Sequence, residues 1–544
     1  MSERRNTLNM RRLGLWIPCA TMLAGCAVGP NYRPPVTTAP AAWSGISETQ
    51  PAGPTTRPVQ VETWWKALED PILDSLLARC VESNLDLRIA TARVREARAV
   101  RGTVAADLWP QVNVGGSYNF RGSSINTGSK PQAGAGLGEK AGTAAGNSIG
   151  GSLSAGQPVT AAGVTRDVLN QLGTNVIDRK LSGTSGDGSR NQNLFQMGFD
   201  ASWEIDVFGG LRRGVEAADA DVAAVEESRN DVLISLLSEV ALNYVQLRGY
   251  QRRLAIAQEN IQTQRDTVEL TQTLNTAGFS SELDVTQARA QLASTRSQVP
   301  LLATAIRQSV YQISVLMGRP PASLNEELSG EGCIPRVPGE LPVGMPSDLL
   351  RRRPDVRVAE RQLAAATARI GQAVAALFPT FSLTGSFGPQ SRDINHLLDN
   401  NSLGFSIGPV IDWPIFDGWR IRSNIEVQNA RQEQAVATYE KTVLTAFQDV
   451  ENALVAFANE RVRYETLVEA VEASQKSTEL SSELYTRGFA PFLNVLESQR
   501  ALYISQDAMI QSETTVITDL IALYKALGGG WPTGSESAPT PSQS

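Results

Sequence analysis

A single histidine, His396, stands among 544 residues. That scarcity excludes His-based catalytic triads and the usual zinc sites, which draw on imidazole. No P-loop is present. The run Gly134-Ala135-Gly136-Leu137-Gly138 sits in low-complexity sequence, not between a strand and a helix, so it is no nucleotide site. Past the N-terminus no stretch approaches 18 uninterrupted apolar residues, so no transmembrane helix is expected. The net charge of -7 argues against nucleic acid as a partner. Cysteine is rare, with Cys19, Cys26, Cys80 and Cys333. Cys80 and Cys333 either pair, in a compartment that permits disulfides, or stay as two free buried thiols. Nothing resembles a catalytic constellation. An enzyme is not expected, and the energy for any active transport must come from elsewhere.

What is present begins at the N-terminus. Arg4, Arg5, Arg11 and Arg12 precede an apolar run from Leu13 to Leu23, too short to span a bilayer as a mature helix. Positive charge, a short apolar stretch and then small residues is the layout of a secretory signal. It ends in Leu23-Ala24-Gly25-Cys26, a lipobox, at which bacteria acylate the cysteine and cleave before it. Residues 1–25 are therefore expected to be signal peptide, with Cys26 the lipidation site and its covalent lipid the only added group. Cys26 is followed by Ala27, not by the aspartate that commonly retains lipoproteins in the inner membrane. The outer membrane is the expected destination. A lone acyl chain holds a protein weakly, so a second membrane contact is compatible with this anchor.

The chain repeats itself. Leu108-Trp109-Pro110 matches Leu377-Phe378-Pro379 at an offset of 269, which also relates Asp86, Arg88 and Ala90 to Asp355, Arg357 and Ala359. Further on, Gly278-Phe279, Leu283 and Val285 match Gly488-Phe489, Leu493 and Val495 at an offset of 210. The first half thus carries an insertion of 59 residues (269 less 210), in the Gly/Ser/Ala/Thr-rich stretch 123–193, which reads as a flexible loop.

Each half holds two strand-like segments with one apolar and one polar face. These lie at about 111–120 and 194–207, and at about 380–388 and 403–415. Trp203 and Trp413 fall on the apolar faces. Alternation over about ten residues suits transmembrane barrel strands, although a soluble sandwich strand alternates too. Four strands close no barrel, and open edges are not tolerated in lipid, so the chain must oligomerise; three copies would give twelve strands. Helical patterns follow. One runs from about Gly214 to Ala277, broken only at Gly249, and resumes from about Ser281 to Met317. The second half repeats this from Gly418 to Arg487 and from Pro491 to Leu527. Leu233, Leu237, Val240, Tyr244 and Leu247 keep a four-three spacing, as do Val443, Phe447, Val450, Leu454 and Phe457. A sustained 3.5-residue period predicts coiled-coil-like packing, with an ordinary bundle core as the alternative.

Three stretches carry a family resemblance. They are Cys26-Ala27-Val28-Gly29-Pro30-Asn31-Tyr32-Arg33-Pro34-Pro35; Trp64-Trp65 with Asp70-Pro71, Leu76 and Asn84; and Leu341-Pro342 through Leu349-Leu350-Arg351-Arg352-Arg353-Pro354-Asp355, with Ala359-Glu360 and Pro379. In these the chain resembles the TolC/OprM outer-membrane factors, most closely the NodT-type lipoproteins. The resemblance implies an α+β membrane protein. A tandem repeat would give four strands to a trimeric twelve-stranded outer-membrane β-barrel and long antiparallel helices to a periplasmic α-barrel.

Its expected organisation is an extended segment 26–63, a first repeat 64–320, a linker 321–346, a second repeat 347–528 and a disordered tail 529–544. The implied function is a passive efflux conduit for drugs or other small molecules. The implied partners are its own copies in a homotrimer, a periplasmic adaptor protein and an inner-membrane pump of the resistance-nodulation-division type. A polypeptide-secretion duct and a non-channel structural envelope lipoprotein are the rival readings. The Gly278-Phe279 and Gly488-Phe489 turns would meet the adaptor. Tyr485, Leu493, Asn494, Glu497 and Asp284 would line the periplasmic constriction. Where relatives often carry two aspartates in the second repeat, this chain has Asn494 and Glu497. Arg351 to Arg353 are expected to form salt bridges among the short helices, with an aperture or docking feature as the alternative.

Overall fold

A computed structural model describes residues 27–35, 40, 43, 61–122, 191–330, 332–336 and 352–531. Cys26, the insertion before residue 191, residues 337–351 and the tail from residue 532 lie outside them. The chain divides into two compact units. One comprises residues 1–30, 102–215 and 369–426, the other residues 31–101, 216–368 and 427–544.

The first unit holds four strands: β1 (Gln111–Gly122), β2 (Asn191–Ile205), β3 (Thr380–Ser391) and β4 (Leu403–Asp412). They pair antiparallel in chain order, β1-β2-β3-β4. The register aligns Val114, Phe199, Phe387 and Phe405 in one row across all four strands. The next row is polar: Asn113, Asp200, Ser386 and Ser406. The aromatic row is exposed in the single chain. The alternation in the sequence runs on to Ile415, but β4 stops at Asp412. Pro414 has no amide hydrogen to donate to a ladder, so pairing ends there. β2 closes two residues short of Val207, whose amide turns back to the Ile205 carbonyl at 2.8 Å. The duplication reaches the hydrogen bonds. Trp203 Nε1 donates to the Leu108 carbonyl at 2.9 Å, and Trp413 Nε1 to the Leu377 carbonyl at 3.1 Å.

The helices are α1 (Pro71–Ser83), α2 (Leu85–Ala106), α3 (Gly210–Thr276), α4 (Glu282–Leu316), α5 (Asn325–Leu328), α6 (Pro354–Ala375), α7 (Arg420–Thr486) and α8 (Phe492–Ala526). α3 and α7 are each 67 residues long, and α4 and α8 each 35. Both ends of each pair are related by the offset of 210, and both ends of α2 and α6 by 269. None of the described helices is long and apolar enough to cross a membrane. Gly249 does not break α3. A Cβ there would stand 2.5 Å from Thr514 Oγ1, so the glycine serves close approach of α8.

In the second unit the four-three positions are core. Leu237, Val240, Tyr244 and Leu247 join one apolar cluster with Leu73, Leu76, Ile313, Ile517 and Trp64. Val443, Val450 and Leu454 join another with Trp43, Val356 and Leu523. Asp70 caps α1, accepting from the Ile72 and Leu73 amides at 2.9 and 3.1 Å, and also accepts from the Tyr244 hydroxyl at 2.7 Å. Pro71 opens that helix, where a missing amide hydrogen costs nothing. Arg353 is the member of the arginine run with salt bridges here, to Asp355 at 2.6 Å and Asp449 at 3.0 Å. Cys80 and Cys333 form no disulfide with each other. Cys80 is buried, its thiol pKa pushed up to about 12 by burial and then by Glu239, whereas Cys333 is exposed.

Asp519 on α8 yields a pH prediction. Burial, then the Glu460 carboxylate, raise its pKa to about 6. An acid raised above its unfolded value of about 3.9 disfavours the fold once both states ionise. Asp519→Asn is therefore expected to raise thermal stability above pH 6 and leave it unchanged below pH 4. Melting curves across pH check this.

Candidate functional site

The long helices reverse at two turns of the second unit, α3 to α4 and α7 to α8. Each turn needs a left-handed residue to close the helix end, and glycine supplies it: φ is +83° at Gly278 and +78° at Gly488. Beside them the Phe279 amide donates to the Leu274 carbonyl at 2.8 Å and the Phe489 amide to the Leu484 carbonyl at 2.9 Å. The two phenyl rings are left bare, 83% and 79% exposed.

The helices leaving the turns start differently. Ser281 and Asp284 form a reciprocal capping box on α4. The Asp284 amide donates to Ser281 Oγ at 3.3 Å, and the Ser281 amide to Asp284 Oδ2 at 3.2 Å. Asn494 occupies the equivalent place on α8, but Pro491 precedes that helix and no side chain caps it. Asp284 is thus committed to its own helix start, while Asn494 is free of that task.

Tyr485 packs its ring 5.4 Å from Phe492, over Ala288 and Val495, with Val268 and Leu496 alongside. Its buried hydroxyl has no hydrogen-bond partner in good geometry. Burial pushes the phenol above its ordinary pKa; the neighbouring Ser280 hydroxyl opposes this and the Asp284 carboxylate adds to it. The Asp284 carboxylate thus lies near enough for its charge to act on Tyr485. Leu493, Asn494 and Glu497 share the opposite, exposed face of α8. Sequence reasoning passed over the apolar support beneath Tyr485, although Phe492, Val495 and Leu496 stand at helical one-sided spacing. It also passed over a groove of about 750 Å³ whose lining includes Arg253 and Asp507, which pair at 2.6 Å across α3 and α8. Among the described residues no acidic, histidine or cysteine group is placed to hold a metal ion.

Comparison with known proteins shows what the chain as a whole is similar to. A family model described as "Outer membrane efflux protein" matches residues 76–319 and 345–529. Nodulation protein T of Rhizobium leguminosarum bv. trifolii is 30% identical over 510 residues, covering 94% of this chain and 96% of its own. Toluene efflux pump outer membrane protein TtgI of Pseudomonas putida is 31% identical over 520 residues, with coverage of 94% and 96%. Among solved structures, the outer-membrane channel OprN superposes with a TM-score of 0.77 at 32% identity, over 93% of this chain and all of that one.

The unpartnered hydroxyl sets the expectation at Tyr485. Removing a buried group that makes no hydrogen bond is neutral or mildly stabilising, whereas removing the half-buried ring strips its packing from Phe492 and Val495. Tyr485→Phe should leave amide exchange at residues 484–496 unchanged or slower, and Tyr485→Ala should accelerate it. Hydrogen-exchange mass spectrometry distinguishes the two.

Proposed function

The chain belongs to the outer membrane efflux protein family, and from that premise we propose that three copies form one passive conduit, anchored by lipid on Cys26. It is an efflux channel of the outer membrane and not an enzyme. The observation that carries the trimer is the bare four-stranded sheet. β1 and β4 are its two edges, and its aromatic row is exposed in the single chain. An edge in hydrocarbon leaves each amide unpaired at a cost of several kcal/mol, and pairing β1 of one copy with β4 of the next removes both edges.

The helices support the same assembly. Leu444, Val455, Val462, Leu480 and Leu484 on α7 are exposed. Their spacings of 11, 7, 18 and 4 residues bring all five to one side at 3.6 residues per turn. The positions 210 residues earlier that match Leu444 and Val455 are Ile234 and Val245, both buried within the chain. Exposure of Leu444 is 68% against 3% for Ile234. At Leu444 and Val455 one half covers what the other bares, which fits a subunit interface, and farther along Leu270, the match of Leu480, is exposed as well. In this reading a periplasmic adaptor meets Phe279 and Phe489, and Leu493, Asn494 and Glu497 face a constriction below the conduit. An inner-membrane pump of the resistance-nodulation-division type drives drugs or other small amphiphiles, and the channel supplies no energy. The relatives named for toluene efflux support small apolar molecules as cargo.

Two outcomes test this. The purified protein should run as a trimer on unheated gels and conduct in planar bilayers. Val455→Glu with Val462→Glu should abolish the trimer band, because each buried unpaired charge costs several kcal/mol. A monomer with normal conductance would refute the assembly. Glu497→Ala with Asn494→Ala should make cells more sensitive to large antibiotics at equal protein levels, as three carboxylates facing a narrow pore are removed. Unchanged sensitivity would place the gate elsewhere.

A further inference from the structure

Ala27, Val28 and Gly29 lie in a cradle made by separate parts of the first unit. The Val28 amide donates to the Phe208 carbonyl at 3.1 Å, continuing the chain just past β2. Arg213, on the first turns of α3 and only 4% exposed, reaches over the segment. Its Nε donates to the Val28 carbonyl at 3.2 Å and its Nη2 to the Gly29 carbonyl at 3.4 Å. Both contacts are to backbone, so they read an extended chain and not a side chain.

The remaining walls are glycines in close approach. Gly29 has φ +93°, and a Cβ on it would stand 2.4 Å from the Gly371 Cα of α6. A Cβ on Gly371 would stand 2.9 Å from Arg213 Nε, and one on Gly209 would stand 2.7 Å from the Ala27 Cα. The wall behind is stiffened by Phe208, stacked on Phe378 with centroids 4.6 Å apart.

The internal repeat supplies a control. If the cradle were a by-product of the strand–helix junction, the second half would have it too. It does not. Gly209 is matched by Trp419, which keeps a positive φ of 71°. Arg213 is matched by Ser423, and Gly371 by Gly102, around which a Cβ would meet nothing within 4 Å. Gly209 and Arg213 are thus replaced in the other half, and the glycine that is kept there, Gly102, makes no close approach.

We infer that Gly209, Arg213 and Gly371 form a dedicated binding site for the chain's own mature N-terminus, and that this site registers the lipid-bearing residue against the end of β2. Its ligand is an extended backbone, glycine at its third residue, with acyl chains on the residue before Ala27. The anchor then enters the membrane at a fixed point of the sheet and not on a free tether. This rests on the reading of Cys26 as the lipidated residue.

The test uses the full-length protein purified from cells fed labelled palmitate, as wild type, Gly29→Ala, Arg213→Ala and Arg213→Lys. Gly29→Ala alters only the bound segment, so it separates release from misfolding. Palmitate should appear in all four. Exchange at the Val28 amide should be at least about tenfold faster in Gly29→Ala and Arg213→Ala, and intermediate in Arg213→Lys, as expected for local opening. Amides of β2 and α3 should keep wild-type rates in Gly29→Ala. Unchanged Val28 exchange in both variants overturns the site. So does an equal acceleration throughout β2 and α3 in Gly29→Ala, which would make the segment ordinary scaffolding. Absence of palmitate in the wild type refutes the Cys26 reading separately, while the exchange rates still judge the cradle.

Discussion

Backbone amides in hydrocarbon have no water to fall back on, and every one must find a partner within protein. That constraint governs the first unit. Three of the four strands' neighbour relations are satisfied inside the chain by the β1-β2-β3-β4 meander. The fourth, between β1 and β4, has to be met from outside. The apolar row of Val114, Phe199, Phe387 and Phe405 is tolerable in lipid and costly in water, where its burial would be worth roughly 25 cal/mol per Å². The polar row beside it has the opposite preference. A sheet so made suits a wall with lipid on one side and water on the other.

Duplication meets this constraint economically, and the places where it is broken are informative. The equal helices and the paired tryptophan bonds are symmetric. The asymmetries include Leu444 and Val455 against the buried Ile234 and Val245, the cap at Asp284 against Asn494, and the N-terminal cradle. A repeat that only built scaffold would have no reason to diverge there. Each of these divergences coincides with a surface for which a task is proposed, respectively the subunit interface, the turn and the anchor.

Much of this was legible in the sequence because periodicity is tied to burial. Tyr244 and Val450 show in a four-three pattern because both lie in a core. Phe199 shows in a two-residue pattern because its face differs from that of Asp200. What escaped depends on distant contacts. Gly249 looked like a break, since only Thr514, 265 residues away, explains it (249 to 514). Cys80 and Cys333 looked pairable until one proved buried and the other exposed. The residues beneath Tyr485 lay within the reach of helical spacing and were missed for want of a reason to look there. The cradle joins residues 28, 208, 213 and 371, and no local pattern announces it.

The arginine motif between the repeats shows how a repeat closes on itself. In the first half Asn84 Nδ2 donates to the Leu316 carbonyl at 2.7 Å, tying the start of α2 to the last turn of α4. Residue 353 is the equivalent of residue 84, and residue 526 of residue 316. There Arg353 Nη1 donates to the Ala526 carbonyl at 3.2 Å. The bond is the same, and the chemistry is stronger. The carbonyls of a helix C-terminus are unsatisfied and carry partial negative charge, so a cation serves them better than an amide. The longer side chain also reaches Asp449 on α7 and Asp355 on α6, so one residue joins three helices. Asn84 has no such reach, and in the first half the Cys80 thiol adds a second donor to the same Leu316 carbonyl at 3.3 Å. Each half thus has its final helix fastened to the residue just before α2 or α6, and the two halves reach that end with different side chains in one shared geometry.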